Sequence, residues 1–169
     1  MFIEALNLVN QELKQEVFNA VILGDAQGRD VYKKKLLRLV EQYRLNKQVK
    51  FVDHCTHMPL AYKISNLVVS SSIEPEAFGR VSVEAQSMEK LIIASNIGGS
   101  NETIINDKTG LLFESGKPKS LSQKIIEALK LNDSTLKIMG NEGRKNVIKK
   151  FNIEKMCFST YSEYKKLIN

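Results

Sequence analysis

Apolar residues at Ile3, Leu6, Val9 and Leu13 recur at roughly helical spacing, which predicts a helix over residues 2–16. The run from Val17 to Leu23 reads as a strand closed by Gly24-Asp25, and residues 24–30 as a loop. Val31 to Leu45, with Leu36, Leu37 and Val40, reads as a long amphipathic helix. A short strand follows at Val49 to Val52. Met58 to Ile64 is a short helix, with Pro59 tolerated in the first turn because no N–H is needed there. Leu67 to Ser70 and Leu91 to Ala94 are strands on either side of a helical pattern, Val81 to Met88. A Gly-rich loop at Asn96 to Ser100 leads to a short helix near Asn101. Asn106 to Gly110 is a turn, and Leu111-Leu112-Phe113 is the last short strand. Three helices close the chain: Pro118 to Leu131, Ser134 to Lys150 and Ile153 to Leu167.

Strands alternate with helices as far as residue 113, the pattern of a parallel sheet covered on both faces. The expected fold is α/β, a Rossmann-like doubly wound domain with a helical carboxyl-terminal tail that packs on the domain or against a partner. Ligands on such sheets bind at the carboxyl ends of the strands, where the loops at Gly24, Asp53, Ser72 and Ser95 gather. One domain over residues 1–169 accounts for the whole chain; no repeat, low-complexity segment or linker interrupts it.

Composition narrows the picture. Apolar residues make up 43% and charged residues 26%, which fits a globular domain and excludes a disordered one. No apolar run approaches the ~20 residues that span a bilayer, and Met1 to Ala5 lacks the basic and apolar regions of a secretory signal. Cys55 and Cys157 lie far apart without metal-ligand spacing, so they read as free thiols in a reducing cytoplasm. The net charge of +6 fits nucleic acid, an anionic membrane surface touched peripherally, or a phosphorylated small molecule. The short runs Lys33-Lys34-Lys35, Lys149-Lys150 and Lys165-Lys166 are solvated helix faces, and no aromatic-interleaved basic motif marks specific nucleic-acid binding.

The chemistry concentrates in Glu76-Ala77-Phe78-Gly79-Arg80-Val81-Ser82-Val83-Glu84. One glutamate falls in the loop after a strand, and the other in the first turns of the next helix. Carboxylates so placed suit sugar hydroxyls, and the helix amino terminus suits a phosphate. Gly79 lets a backbone amide approach that phosphate closely. Two carboxylates are also the equipment of a glycosidase, where they face each other across a bond; spacing alone does not decide this. Gly98-Gly99 reads as a turn after a strand. His54 and His57 read as surface or hydrogen-bonded loop residues, and His54-Cys55-x-His57 lacks zinc spacing and a fourth ligand.

Ser71 to Glu84, Ala94 to Ile104 and Thr109-Gly110-Leu111-Leu112-Phe113, in that order, resemble the donor-binding half of a retaining GT-B glycosyltransferase of family 4, the glycosyl transferases group 1. The resemblance runs over essentially the whole chain, with motif-level detail from Ser70 to Phe113. It implies that Glu76 contacts the hydroxyls of the donor sugar and serves catalysis. It implies that Glu84 holds the ribose, and that the Phe78, Gly79, Arg80 and Val81 backbone lies along the diphosphate and ribose. Gly98 and Gly99 then support the donor from beneath, and the end of the Val49 to Asp53 strand flanks the base. The implied substrate is a GDP- or UDP-linked sugar, with no metal, and the implied acceptor is a lipopolysaccharide-type glycan or lipid. The acceptor-side histidine of the family lies in its other domain, so neither His54 nor His57 inherits that role.

Two departures accompany the resemblance. Such a domain begins with a strand and a Gly-Arg-rich loop, followed by a Lys-Gly pair that leads into the first helix. Met1 to Leu6 is similar to the middle of that helix. The expected domain therefore lacks its first strand, the Arg and Lys that neutralise the diphosphate, and the amino-terminal acceptor domain, which a separate chain could carry. One preorganised donor is worth about 3–4 kcal/mol of barrier in other enzymes, so the chain alone is expected to transfer no sugar. The second departure is Glu89-Lys90-Leu91, which stands where the family has Gly-x-Pro; the cost of a non-glycine cap is about 1 kcal/mol. An alternative of a different class is an inactive remnant or interaction module with the same fold.

Overall fold

The computed structural model describes residues 1–14 and 18–168. Thirteen elements follow in order: α1 (Phe2–Leu13), β1 (Ala20–Leu23), α2 (Asp30–Gln42), β2 (Val49–Val52), α3 (Met58–Ile64), β3 (Leu67–Ser70), α4 (Arg80–Ser87), β4 (Leu91–Ser95), α5 (Ser100–Thr103), β5 (Leu111–Phe113), α6 (Pro118–Lys130), α7 (Asp133–Lys150) and α8 (Ile153–Ile168). Each predicted element is present within a few residues of its expected bounds. The expected start of the first strand at Val17, and residues 15 and 16 of the first helix, lie outside the described residues.

Every strand pair is parallel. β1 pairs with β2, Ala20 opposite Val49 and Leu23 opposite Val52. β3 pairs with β4, and β4 with β5, Leu67 opposite Leu91 and Ile93 opposite Leu111. One difference from a continuous doubly wound sheet emerges. The ladder is divided, in the order β1-β2 and β3-β4-β5, and among the described residues no strand hydrogen bond joins the two parts.

Side-chain alternation shows that both parts still serve one core. Ala20, Ile22, Val49 and Phe51 face the same apolar cluster as Leu67, Val69, Leu91, Ile93, Leu111 and Phe113. α1 and α6 close that cluster with Ile3, Leu6, Val9, Leu121 and Ile125. The alternate residues of β3–β5 enter a second cluster: Val68, Ile92, Ala94 and Leu112 pack with Tyr62 of α3 and Ala85 of α4. β4 is therefore buried along its whole length.

The helices end as their local chemistry dictates. Asn132 caps α7 by accepting from the Thr135 amide at 2.8 Å. α4 closes in a Schellman turn: the Glu89 amide donates to Gln86 and the Lys90 amide to Ala85, both at 3.0 Å. Glu89 takes the left-handed conformation there, φ +58°, where a glycine would be unstrained. α7 presses on this corner, since a Cβ on Gly140 would stand 2.2 Å from the Glu89 carbonyl oxygen.

Candidate functional site

β3 ends at Ser70, and the chain runs through Glu76 and Phe78 into α4. Gly79 makes the entry possible at φ +78°, ψ +56°, a conformation that costs glycine nothing. The Ser82 and Val83 amides donate back to the Gly79 carbonyl at 3.0 and 3.3 Å. The Arg80 and Val81 amides have no backbone acceptor among the described residues. They are the orphan donors of a helix start, carrying its partial positive charge.

Gly98 and Gly99 lie directly against this loop. The Gly99 amide donates to the Glu76 carbonyl at 2.8 Å. A Cβ on Gly98 would stand 2.6 Å from that same oxygen, and one on Gly99 would stand 2.4 Å from the Phe78 carbonyl carbon. Two glycines are thus what allows the two loops to touch. Thr103 extends the support: its hydroxyl donates to the Gly99 carbonyl at 2.9 Å. Its own carbonyl accepts from Gln86 Nε2 at 3.0 Å and from Asn146 Nδ2 at 3.1 Å. α4, α5 and α7 are joined at this buried point. The strand ends are drawn together as well, because the Ser72 carbonyl accepts from the Ser95 hydroxyl at 2.6 Å.

The two glutamates have distinct settings. Glu76 is half-buried, and its Oε1 accepts a short hydrogen bond from the Ser72 hydroxyl. Glu84 accepts from Tyr62 Oη at 2.9 Å on one oxygen and from Arg80 Nη2 at 3.1 Å on the other. Burial, followed by the hydrogen bond to Glu84, pushes the Tyr62 phenol well above its ordinary range. That tyrosine remains neutral and a donor throughout the physiological range. Outside the loop, the Phe78 ring meets Phe151 edge-on, centroids 5.6 Å apart, at the corner between α7 and α8.

The structure brings Glu76, Phe78, Gly79, Gly98 and Gly99 into one contact set, with Arg80, Val81 and Glu84 on the helix that leaves it. Asp53 stands apart at the end of β2, paired with Lys33 Nζ at 3.0 Å. His54, Cys55 and His57 occupy the loop before α3; Cys55 is a free thiol, and no group of three metal-ligating side chains occurs among the described residues. Tyr62, Gln86 and Asn146 were not singled out by sequence reasoning. Each sits on a helix at an unremarkable position, and only the fold supplies its partner.

Residues 1–146 match the family model described as Glycosyl transferases group 1. The capsular polysaccharide biosynthesis glycosyltransferase CapM of Staphylococcus aureus is 35% identical over 106 residues, 63% of this chain and 27% of CapM. A glycosyltransferase structure from Rickettsia africae superposes with a TM-score of 0.91 at 32% identity, covering 99% of this chain and 44% of that one. Anabaena Alr3699/HepE, solved in complex with UDP-glucose, gives a TM-score of 0.86 at 23% identity over 96% of this chain and 44% of that one, a likeness of fold. The chain thus spans less than half the length of these proteins.

Proposed function

Since the chain belongs to the glycosyl transferases group 1 family, we propose that it is the nucleotide-sugar-binding half of a retaining, family 4 glycosyltransferase. In this reading it takes part in moving a hexose from a GDP- or UDP-sugar to a glycan or lipid-linked acceptor of the lipopolysaccharide or cell-envelope type. The observation that carries the reading is the seating of the Glu76–Gly79 loop on Gly98-Gly99, beside the open amides that begin α4. A helix start offering free N–H groups next to a carboxylate suits a diphosphate bound to a sugar. Glu76 then orients the sugar hydroxyls and is the catalytic residue, Glu84 holds the ribose, and Arg80 with the Arg80 and Val81 amides meets the diphosphate charge. No metal has a role in this reading, and EDTA is expected to leave binding unchanged.

The divided sheet supports a further part of the reading. β1 and β3 both contribute to the common core, yet among the described residues no ladder joins them. A parallel strand between them would complete one sheet. We propose that this strand, together with the acceptor-binding half and the basic loop of the phosphate site, comes from sequence beyond this chain or from a separate chain. The net charge of +6 is compatible with peripheral contact at the inner face of an anionic membrane. No helix of the described residues is long and apolar enough to cross one.

Isothermal titration with GDP- and UDP-sugars tests the central reading. Saturable binding of at least one, lost in Glu76→Ala, is expected. Absence of binding to all of them at millimolar concentration, with the upstream segment supplied, would refute it. A second reading, an interaction module with the same fold, is favoured by α8, none of whose residues is buried. It predicts a folded chain without donor hydrolysis, and detected hydrolysis of a nucleotide sugar would exclude it.

A further inference from the structure

The two donors on the Glu84 carboxylate differ in kind. Arg80 reaches it from one helical turn earlier, on a side chain 84% exposed. Exposed pairs at that spacing hold their geometry weakly. Tyr62 reaches it from another helix, 22 positions earlier in the chain, with its residue only 6% exposed. The tyrosine ring packs with Ala85, Ile92, Ala94 and Ile104. α3 itself is fastened in place, since Lys90 Nζ donates to the Lys63 carbonyl at 2.8 Å. A ring with two rotatable bonds, fixed by packing, presents its hydroxyl at one point.

We propose that Tyr62 is a positioning residue of the nucleotide site, its hydroxyl fixing the Glu84 carboxylate for the vicinal diol of a ribose. The inference rests on the reading that this site takes a nucleotide sugar. A carboxylate has about four acceptor sites. One bond from Tyr62 and one from Arg80 therefore leave room for both hydroxyls. When Arg80 swings to a bound phosphate, Tyr62 is the donor that keeps Glu84 aimed. Tyr62 touches no reacting atom; it acts through Glu84.

The test is titration of the full chain with UDP, GDP and ADP, each beside its 2′,3′-dideoxy counterpart, in the parent protein and in Tyr62→Phe. Phenylalanine keeps the ring and removes the hydroxyl. The parent is expected to prefer at least one ribonucleotide by about tenfold, the worth of a hydrogen bond to a charged group. Tyr62→Phe is expected to erase most of that preference by weakening the ribonucleotide alone. Equal weakening of both nucleotides, or an unchanged preference, overturns the inference and leaves nucleotide binding standing. A parent that binds both forms equally overturns it together with the ribose role of Glu84. A parent that binds no nucleotide even with the upstream segment supplied overturns the proposed function, and the inference falls with it. Arg80→Ala provides an independent arm: both forms should weaken with the ratio preserved. A collapsed ratio there would assign the positioning to Arg80 and overturn the inference.

Discussion

β4 and β1 are both short runs of small and branched apolar residues, Leu91-Ile92-Ile93-Ala94-Ser95 and Ala20-Val21-Ile22-Leu23, yet they end in opposite states. β4 is buried throughout, whereas Val21 of β1 is 57% exposed and its neighbour Val52 of β2 is 45% exposed. Both strands give alternate residues to the same core. They differ in the second face. α3 and α4 cover that of β3–β5, whereas on that of β1–β2 Val21, Lys50 and Val52 stay exposed. Strand composition supplies two apolar faces; what stands opposite decides how many are used. The candidate site grows from the doubly covered part. Its loops are therefore held by packed helices on one side and by the Gly98-Gly99 contact on the other.

Emptying one position in each part separates the two strands most strongly. Ile93→Ala, at a fully buried residue, should cost about 3 kcal/mol in urea unfolding, through lost transfer energy and a cavity. Val21→Ala should cost less than about 0.5 kcal/mol, as an exposed position does. Equal costs would mean that the open face of β1–β2 is covered in solution. A second pair of variants probes the loops. Gly99→Ala drives a methyl into the Phe78 backbone and should cost about 2 kcal/mol, the range of overpacking, and abolish nucleotide binding. Gly28, in the loop between β1 and α2, has φ +78°, but a methyl there would meet nothing within 4 Å. Gly28→Ala should cost only the backbone strain, about 1 kcal/mol, and leave nucleotide binding intact.

Two helix ends differ in the same way on a smaller scale. Arg44 closes α2 and Glu89 closes α4, with φ of +57° and +58° and the same pair of closing hydrogen bonds. Arg44→Gly should gain about 1 kcal/mol by relieving the left-handed strain. Glu89→Gly should gain less in the same thermal melt. Glu89 also pairs with Arg144 Nε at 3.6 Å, both side chains about half exposed, a contact worth about 0–1 kcal/mol. Identical gains would show that this ion pair contributes nothing.

The elements themselves were legible because their signals are local. Short apolar runs bounded by turn residues, such as Gly24 after one strand and Gly110 before another, and Pro118 at a helix start, fix bounds within a few residues. The Glu76–Glu84 stretch was legible from its place between a strand and a helix, and the anomaly at Glu89 from the resemblance, which puts glycine at a helix end that here turns left-handed without it. The partners were not legible. Tyr62 gives no hint that its hydroxyl meets Glu84, and Asn146 lies 43 positions from the Thr103 carbonyl it holds. The division of the sheet is also invisible in β1 or β3 alone, since ladder pairing is set by topology and not by either strand.

α8 carries this lesson to its limit. Ile153, Met156, Tyr161, Tyr164 and Leu167 recur at the spacing of a core-facing helix, and each is more than half exposed. Periodicity reports a face that could be buried, without reporting what buries it. If α8 stands free in solution, its apolar stripe adds nothing to unfolding stability. Met156→Ser and Leu167→Ser should then each change the unfolding free energy by less than about 0.5 kcal/mol. They should leave the Phe78–Phe151 contact and nucleotide affinity as they were. A loss above about 1 kcal/mol from either variant would mean that the stripe is covered by a second copy or by the chain itself. Dilution separates those cases: a loss that fades at low protein concentration belongs to a second copy, because only association depends on concentration.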